Sequence, residues 1–166
     1  MSTGQSVLDH LRRIEIFQGL TDVELLHVAA VCKVRRLADG ADVFREGDAG
    51  DEMMIILAGC VRVALTTRQP DGTVTPNTIN MLYTGQSFGE MVLLGGATRS
   101  ATVTCVEATT LLVLTEHDFA QICERNPRIG YLVMRNIAAD LAYKLRSSNL
   151  LLRGNIRWQH GELGKH

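Results

Sequence analysis

The chain has 166 residues, of which 46% are hydrophobic, and a formal net charge of −1 at pH 7. This length and composition indicate one folded domain with a single core, and they argue against a disordered chain or two ordinary domains. The near-neutral charge argues against non-specific nucleic-acid binding, and the apolar runs are too short to span a membrane. Residues 1–5 lack the basic and apolar pattern of a signal peptide, so we expect a cytoplasmic protein.

Two short helices are predicted at the N-terminus. Apolar residues at helical spacing predict the first helix over residues 6–14, and a turn follows at residues 17–20. Thr21, with Glu24 three residues later, forms a capping-box pattern. This pattern predicts a second helix that ends near Val31.

From Lys33 onwards, the apolar residues form short runs that glycines separate. Evenly spaced short strands with glycine turns are typical of an antiparallel sandwich or barrel. Pro70-Asp71-Gly72 predicts a tight turn, because proline sets one dihedral angle and glycine tolerates positive φ. After shorter apolar runs near Val34 and Val43, the predicted strands lie at residues 53–57, 61–65, 79–83, 101–106 and 110–114.

Two further helices are predicted in the C-terminal part. One begins at Glu116 and ends near Arg125, and a longer one runs from Pro127 to about Arg153. Residues 154–166 are predicted to form a flexible tail. The long helix carries two partly separate apolar rows and therefore needs two packing partners. The rows are Tyr131, Met134, Ala138, Leu141, Leu145, Ser148 and Leu152, and Ile129, Val133, Ile137 and Leu141.

The cysteines and histidines do not indicate a metal site. The sequence has no Cys-x-x-Cys pair and no histidine at metal-ligand spacing from a cysteine, so reduced thiols that fill core volume are the simplest interpretation. A metal-dependent cupin, the main enzymatic alternative for a small β-roll, needs histidines clustered on its strands, and the predicted strands have none. We therefore expect no metal, no cofactor and no enzymatic activity. The cysteines are Cys32, Cys60, Cys105 and Cys123, and the histidines are His10, His27, His117, His160 and His166.

The segment 88–103 carries the strongest functional signal. Gly89-Glu90 at the start of a short predicted helix would expose backbone N–H groups at the positive end of the helix. Arg99 adds a planar cation suited to a phosphate, and Ser100 could complete the anion site. Glu90 would repel a phosphate, so it indicates a neighbouring hydroxyl-bearing group such as a ribose. These residues predict a site for a nucleotide with a single phosphate; the alternative is a surface helix with an incidental arginine.

The same segment resembles the phosphate-binding cassette of the cyclic-nucleotide-binding domain family, the sensor module of catabolite activator protein-like regulators. Six residues match the family pattern in order, and Val92 and Thr98 depart from it. Residues 40–48 and 55–61 resemble the family's upstream strand and turn signatures, so the resemblance covers roughly residues 15–150. The matching residues are Phe88, Gly89, Glu90, Arg99, Ser100 and Ala101.

The resemblance implies an α+β, mainly β fold: an antiparallel β-roll or jelly roll flanked by N-terminal helices and a long C-terminal helix. It implies one domain over residues 1–153, with helices at 1–31, the β-roll at 33–115, the cassette at 88–103 and C-terminal helices at 116–153. The ligand-binding residues that it implies are Phe88, Gly89, Glu90, Met91, Val92, Arg99, Ser100 and Ala101. Val63 and Ile79 stand where the family packs the base, although they could equally be core residues. Ser147, Ser148 and Asn149 could hydrogen-bond the base or form a polar, fraying helix end.

For the ligand and the partners, the resemblance implies cyclic AMP, because Ser100 is common in bacterial cyclic AMP receptors; cyclic GMP is the alternative. The long helix is expected to form a homodimer seam, against a monomer in which it folds onto its own roll. Residues 154–166 are too short for a DNA-recognition module, so we expect no direct DNA binding. The expected function is a regulatory sensor that acts on an unknown effector protein in trans. The alternatives are a nucleotide sink, a sensor domain of a larger transcription factor or signalling protein, and a structural or dimerisation module that has lost its ligand.

Overall fold

The computed structural model describes residues 3–96 and 98–163, with side chains described for residues 7–96 and 98–146. Its helices are α1 (Thr3–Leu11), α2 (Asp22–Val31), α3 (Glu116–Arg125) and α4 (Pro127–Leu163), with 3-10 helices at Glu15–Phe17 and Glu90–Leu94. Its strands are β1 (Lys33–Leu37), β2 (Asp42–Phe44), β3 (Glu52–Ala58), β4 (Cys60–Arg68), β5 (Val74–Tyr83), β6 (Ser87–Phe88), β7 (Thr102–Cys105) and β8 (Thr109–Thr115).

The strands form two four-stranded antiparallel sheets, in the orders β1-β8-β3-β6 and β2-β7-β4-β5. The first sheet is the central layer, since the side chains of β3 are buried on both of its faces. Met53 and Ile55 belong to the core beneath the helices, whereas Met54 and Ile56 belong to the core between the sheets. This alternation follows from the period of two residues in a strand. It confirms the predicted antiparallel β-roll with flanking helices.

The helices largely agree with the predictions from sequence. The Thr21 side chain accepts a hydrogen bond from the Glu24 backbone N–H, and the Glu24 carboxylate accepts one from the Thr21 backbone N–H, so the predicted capping box is confirmed. Helix α1 ends at Leu11 rather than at Ile14. Residues 12–14 instead form tight turns, in which the N–H groups of Arg13 and Ile14 bond the carbonyls three residues earlier.

The end predicted for the long helix requires a correction. Helix α4 continues to Leu163, so residues 154–163, which we predicted to be a flexible tail, are helical. Gly154 follows the predicted end of the helix, but one glycine in a helix costs only about 1 kcal/mol. No proline follows Pro127 to terminate the helix.

The four cysteines are free thiols. Cys60 and Cys105 are buried, while Cys32 and Cys123 are half-buried. Burial raises the pKa of each thiol, that of Cys32 to about 12, so all four stay protonated at neutral pH. Within the described side chains, no group of three or more His, Cys, Asp or Glu residues could hold a metal ion. The described helices include none that is long and apolar enough to cross a membrane.

Candidate ligand-binding site

The segment predicted to bind phosphate begins where β6 pairs with β3. Phe88 lies opposite Met54, and its side chain is buried between the sheets. Gly89 then adopts φ = +76°, a conformation that favours glycine, and the 3-10 helix Glu90–Leu94 follows. The first N–H groups of such a turn have no partner within it. Because the helix is only five residues long, its dipole is small, and any anion affinity depends mainly on individual N–H groups and on Arg99.

The Arg99 side chain is almost completely buried, with 6% of its surface exposed. Its Nη1 donates a hydrogen bond of 2.8 Å to the backbone carbonyl of Glu52. Its Nε is buried and has no hydrogen-bond partner among the described residues. Burial lowers the pKa of Arg99, although the nearby carboxylates of Glu52 and Asp51 oppose this effect. An arginine remains protonated at neutral pH even so, and the site therefore contains a desolvated cation with unused donors.

Two glycines give the guanidinium the space that it occupies. A Cβ atom at Gly50 would lie 2.2 Å from Arg99 Nε and 2.4 Å from Cζ. A Cβ atom at Gly89 would lie 2.9 Å from Arg99 Nη1. The Arg99 side chain therefore points towards the start of the cassette turn, as a shared phosphate site requires.

A cavity of about 380 Å³ opens beside Arg99. This volume falls within the range of roughly 300–1,000 Å³ that is typical of small-molecule sites. The cavity lies between β4 and β5 of the second sheet, the cassette and α4. Its lining includes all ten of the predicted residues whose side chains are described: Val63, Ile79, Phe88, Gly89, Glu90, Met91, Val92, Arg99, Ser100 and Ala101.

From the sequence alone, Val63 and Ile79 could either pack against the base or be ordinary core residues. Their solvent exposure distinguishes these two interpretations. Ile79 is 56% exposed although it is large and apolar, so it is a residue of the cavity wall and not of the core. Val63 is half-buried and packs against the inter-sheet core while also lining the cavity. An apolar wall of this kind can pack against the flat face of a base.

The Glu90 carboxylate lines the cavity and faces α4. Its side chain is 15% exposed, and Lys144 Nζ lies 3.6 Å from its Oε1. Lys144 also bonds Asp140 at 2.6 Å. Burial lowers the pKa of Lys144, but the hydrogen bond with Asp140 and the charge of Glu90 outweigh burial, so the net shift is upward. This ion pair connects the cassette to α4.

Helix α4 contributes Leu141 and Lys144 to the cavity, which the sequence analysis did not predict. The predicted lid residues Ser147, Ser148 and Asn149 follow within the same helix, and their side chains lie outside the described residues. The sequence signal that could have predicted Lys144 as a cavity residue was its position one helical turn after Leu141 of the apolar row. The other lining residues that we did not predict as ligand-binding are Phe44, Asn80, Leu82, Ser87, Thr98 and Val103.

The fold and the site together define a β-roll with a cationic, nucleotide-sized cavity. A family profile described as "Cyclic nucleotide-binding domain" matches residues 34–126, which is more than half of the chain. The chain therefore belongs to the cyclic nucleotide-binding domain family, a family of regulatory domains.

Similar proteins include a cyclic AMP receptor protein, a catabolite activator protein and a glutaminase. The chain is 34% identical to the Cyclic AMP receptor protein of Thermus thermophilus over 137 residues, which cover 82% of this chain and 60% of that protein. The crystal structure of the Thermus thermophilus Catabolite Activator Protein superposes with a TM-score of 0.72 and 34% identity, over 84% of this chain and 62% of that one. Glutaminase 1 of Bradyrhizobium diazoefficiens is 35% identical over 81% of this chain and 20% of its own length. The chain thus spans between one fifth and three fifths of these two curated relatives.

Proposed function

We propose that this chain is a cyclic-nucleotide sensor that binds cyclic AMP in the cavity between the cassette and α4. The single observation that carries the proposal is Arg99, a buried cation that lines an open cavity of nucleotide size and whose Nε has no hydrogen-bond partner among the described residues. In the proposed complex, the Arg99 guanidinium and the first cassette N–H groups bind the cyclic phosphate. Glu90 accepts a hydrogen bond from the ribose 2′-hydroxyl, and Val63 and Ile79 pack against the base.

Cyclic AMP is the preferred ligand in this proposal, and cyclic GMP is the alternative. Ser100 lines the cavity next to Arg99, and the family resemblance associates serine at this position with bacterial cyclic AMP receptors. The regulatory domain of Toxoplasma gondii PKA, solved with cAMP, superposes with a TM-score of 0.65 at 28% identity. The chain is also 31% identical to the cGMP-dependent protein kinase egl-4 of Caenorhabditis elegans, and cyclic GMP is therefore included as the alternative ligand in the test below.

The ion pair between Glu90 and Lys144 supplies a route from the ligand to α4. A ribose hydroxyl that bonds Glu90 competes with Lys144 for the same carboxylate, so ligand binding changes the contact between the cassette and the helix. Ligand binding changes the conformational equilibrium only if the ligand prefers one of the two arrangements. About two turns before Lys144, Asn136 Nδ2 donates hydrogen bonds to the carbonyls of Ile16 and Gln18 and fixes this part of α4. The proposed change is therefore directed to the part of the helix that follows Asn136.

We propose that the sensor acts in the cytoplasm and that α4 transmits the effect of ligand binding to its partner. Tyr131, Tyr143 and Leu145 on this helix are each at least 63% exposed, which is unusual for large side chains with apolar surface. They fit a homodimer seam or a contact with an effector protein in trans. Because Glutaminase 1 and the Thermus receptor are longer than the region that they share with this chain, a sensor domain within a larger protein is the second candidate.

Calorimetric titration of the purified chain with cyclic AMP, cyclic GMP and linear AMP tests the proposal. We expect saturable binding of one cyclic AMP per chain, weaker binding of cyclic GMP and the weakest binding of linear AMP. A higher affinity for cyclic GMP would reassign the base preference but retain the sensor. If none of the three nucleotides binds, the proposed function is wrong, and the chain is a structural module with the same fold.

A further inference from the structure

Phe44 lies directly against the guanidinium of Arg99. The Arg99 Cζ atom is 4.1 Å from the centroid of the Phe44 ring, which is within the range of a cation–π contact. The Phe44 ring in turn contacts Phe88 of the cassette at a centroid distance of 5.9 Å and an angle of 50°. Phe44 therefore connects the cation of the site to the start of the cassette.

The direction of the Phe44 side chain follows from an irregularity in the second sheet. Between Asp42 and Phe44, the register of β2 shifts relative to β7, so that two steps along β2 correspond to one along β7. Bulges of this kind redirect a side chain locally. Here, Phe44 at the end of β2 lines the cavity.

Few other contacts orient the Arg99 side chain. Its backbone is fixed, because its N–H bonds the Asp48 carbonyl and its carbonyl accepts from Gly47 N–H. Among the described residues, its guanidinium has one hydrogen bond, from Nη1 to the Glu52 carbonyl. The Glu52 carboxylate is not available to it, since that group forms two hydrogen bonds of 2.7 and 2.9 Å with Arg35. The plane of the guanidinium therefore depends on the Phe44 ring and on the space at Gly50.

We propose that Phe44 is a positioning residue for Arg99: its ring, together with the missing side chain of Gly50, holds the guanidinium in the orientation that meets the ligand's phosphate. This inference rests on the proposed function. Without the ring, the long arginine side chain would sample other rotamers and would have to be ordered again at each binding event. Phe44 then determines phosphate affinity without contacting the phosphate.

The first test compares Phe44→Leu with Phe44→Tyr in calorimetric titrations. We expect Phe44→Leu to weaken cyclic AMP binding by roughly 3- to 30-fold, the range of a partly desolvated cation–π contact. Phe44→Tyr keeps the aromatic face and should restore most of the affinity. Phe44 is only half-buried, so both variants are expected to fold.

A double-mutant cycle separates action through Arg99 from direct contact of Phe44 with the ligand. In an Arg99→Ala background, Phe44→Leu should have no further effect on cyclic AMP affinity. If Phe44→Leu weakens binding equally in both backgrounds, Phe44 acts on the ligand directly and the inference is wrong. If the wild type binds cyclic AMP and Phe44→Leu binds it equally well, the inference is wrong while the proposed function stands. If the wild type binds no cyclic nucleotide, both are wrong.

Gly50→Ala supplies a variant that leaves the aromatic ring in place. Gly50 does not adopt a positive φ, so alanine is compatible with its backbone, but the new Cβ would stand 2.2 Å from Arg99 Nε. The guanidinium must therefore move, and we expect weaker cyclic AMP binding that Phe44→Leu does not weaken further. Unchanged cyclic AMP affinity in Gly50→Ala would contradict the inference that the guanidinium must occupy the space beside Gly50 in order to bind the phosphate.

A spectroscopic measurement reports the orientation itself. In a ¹H–¹⁵N correlation spectrum of the unliganded wild type, the signal of the Arg99 Nε–H proton should be shifted upfield by the Phe44 ring. Burial should protect this proton from exchange with solvent. Arg99→Lys identifies the signal by removing it. Phe44→Leu should abolish the upfield shift, while Phe44→Tyr should retain it. A wild-type signal without an upfield shift would overturn the inference.

Discussion

Replacing Arg99 by methionine should weaken ligand binding strongly and yet leave the unliganded fold as stable as before, or more stable. Both effects follow from the burial of the guanidinium. Its Nε has no partner among the described residues, and burial lowers the pKa of Arg99, which means that the folded state disfavours the charge. The same charge becomes favourable only when an anion enters the cavity.

The magnitudes can be estimated separately for the two effects. Removing one partner of a buried charge pair costs about 2–5 kcal/mol, so the affinity for cyclic AMP should fall by roughly 30- to 4,000-fold. For the free protein, methionine replaces a buried cation by an apolar side chain. The loss of the hydrogen bond to the Glu52 carbonyl and of the cation–π contact with Phe44, about 1 kcal/mol each, is offset by the desolvation of the cation, which no longer opposes folding. We expect the free energy of unfolding to be unchanged or to rise by about 1 kcal/mol.

Two measurements on the same preparations test these expectations. Calorimetry gives the affinity for cyclic AMP, and urea denaturation without ligand gives the free energy of unfolding. Arg36→Ala is a matched control, because Arg36 is an exposed arginine on β1 and does not line the cavity. That variant should retain both the affinity and the stability of the wild type. The ligand stabilises the folded state of a protein that binds it. Cyclic AMP at a concentration that saturates the wild type should therefore raise the free energy of unfolding of Arg36→Ala and should not raise that of Arg99→Met.

Two results would refute this reasoning. If Arg99→Met binds cyclic AMP within threefold of the wild type, Arg99 does not bind the phosphate. If the unliganded variant loses more than about 2 kcal/mol of stability, Arg99 is primarily a structural residue, and its burial does not indicate a ligand.

Three further predictions concern the sugar, the anchor of α4 and the helix surface. Glu90→Gln should weaken cyclic AMP binding about 10-fold, because a charge-assisted hydrogen bond to the 2′-hydroxyl becomes a neutral one. Calorimetry should find a clearly smaller loss of affinity for 2′-deoxy cyclic AMP, which lacks this hydroxyl. Equal losses for both ligands would contradict the ribose contact. Glu24 is almost completely buried, and its hydrogen bonds with Arg128 and then Thr21 lower its pKa to about 2. Because the folded pKa is depressed, the stabilisation is present above the unfolded value near 4.5 and is lost as the pH falls towards 2. Glu24→Gln should therefore cost about 1–2 kcal/mol in urea denaturation at pH 7 and roughly half as much at pH 3. A cost that does not depend on pH would refute the ion pair. Leu145→Glu should shift the chain from dimer to monomer in analytical ultracentrifugation, whereas Arg36→Ala should not, and a wild type that sediments as a monomer would remove the proposed seam.

The sequence alone determined the elements whose signals are local. The capping box at Thr21, the turn at 70–72 and helix α3 depend on residues close together in the chain, and each was predicted at its observed position. The cassette was also recognisable, since Gly89, Glu90 and Arg99 belong to one short segment whose order carries the family resemblance. The length of α4 was underestimated, because a glycine is a weak stop signal.

Only the tertiary structure decided what surrounds Arg99. Phe44, Gly50 and Lys144 come from strands, loops and a helix that are distant in sequence, and a binary pattern of polar and apolar residues contains no information about which of them meet. The contact with Phe44 depends on a register shift between β2 and β7, which the pattern of β2 does not reveal. The burial of Arg99 is likewise a property of the packed sheets, because a charged side chain is removed from water only when several elements close around it. The chemistry of the cassette was therefore encoded locally, whereas its geometry was determined by long-range packing.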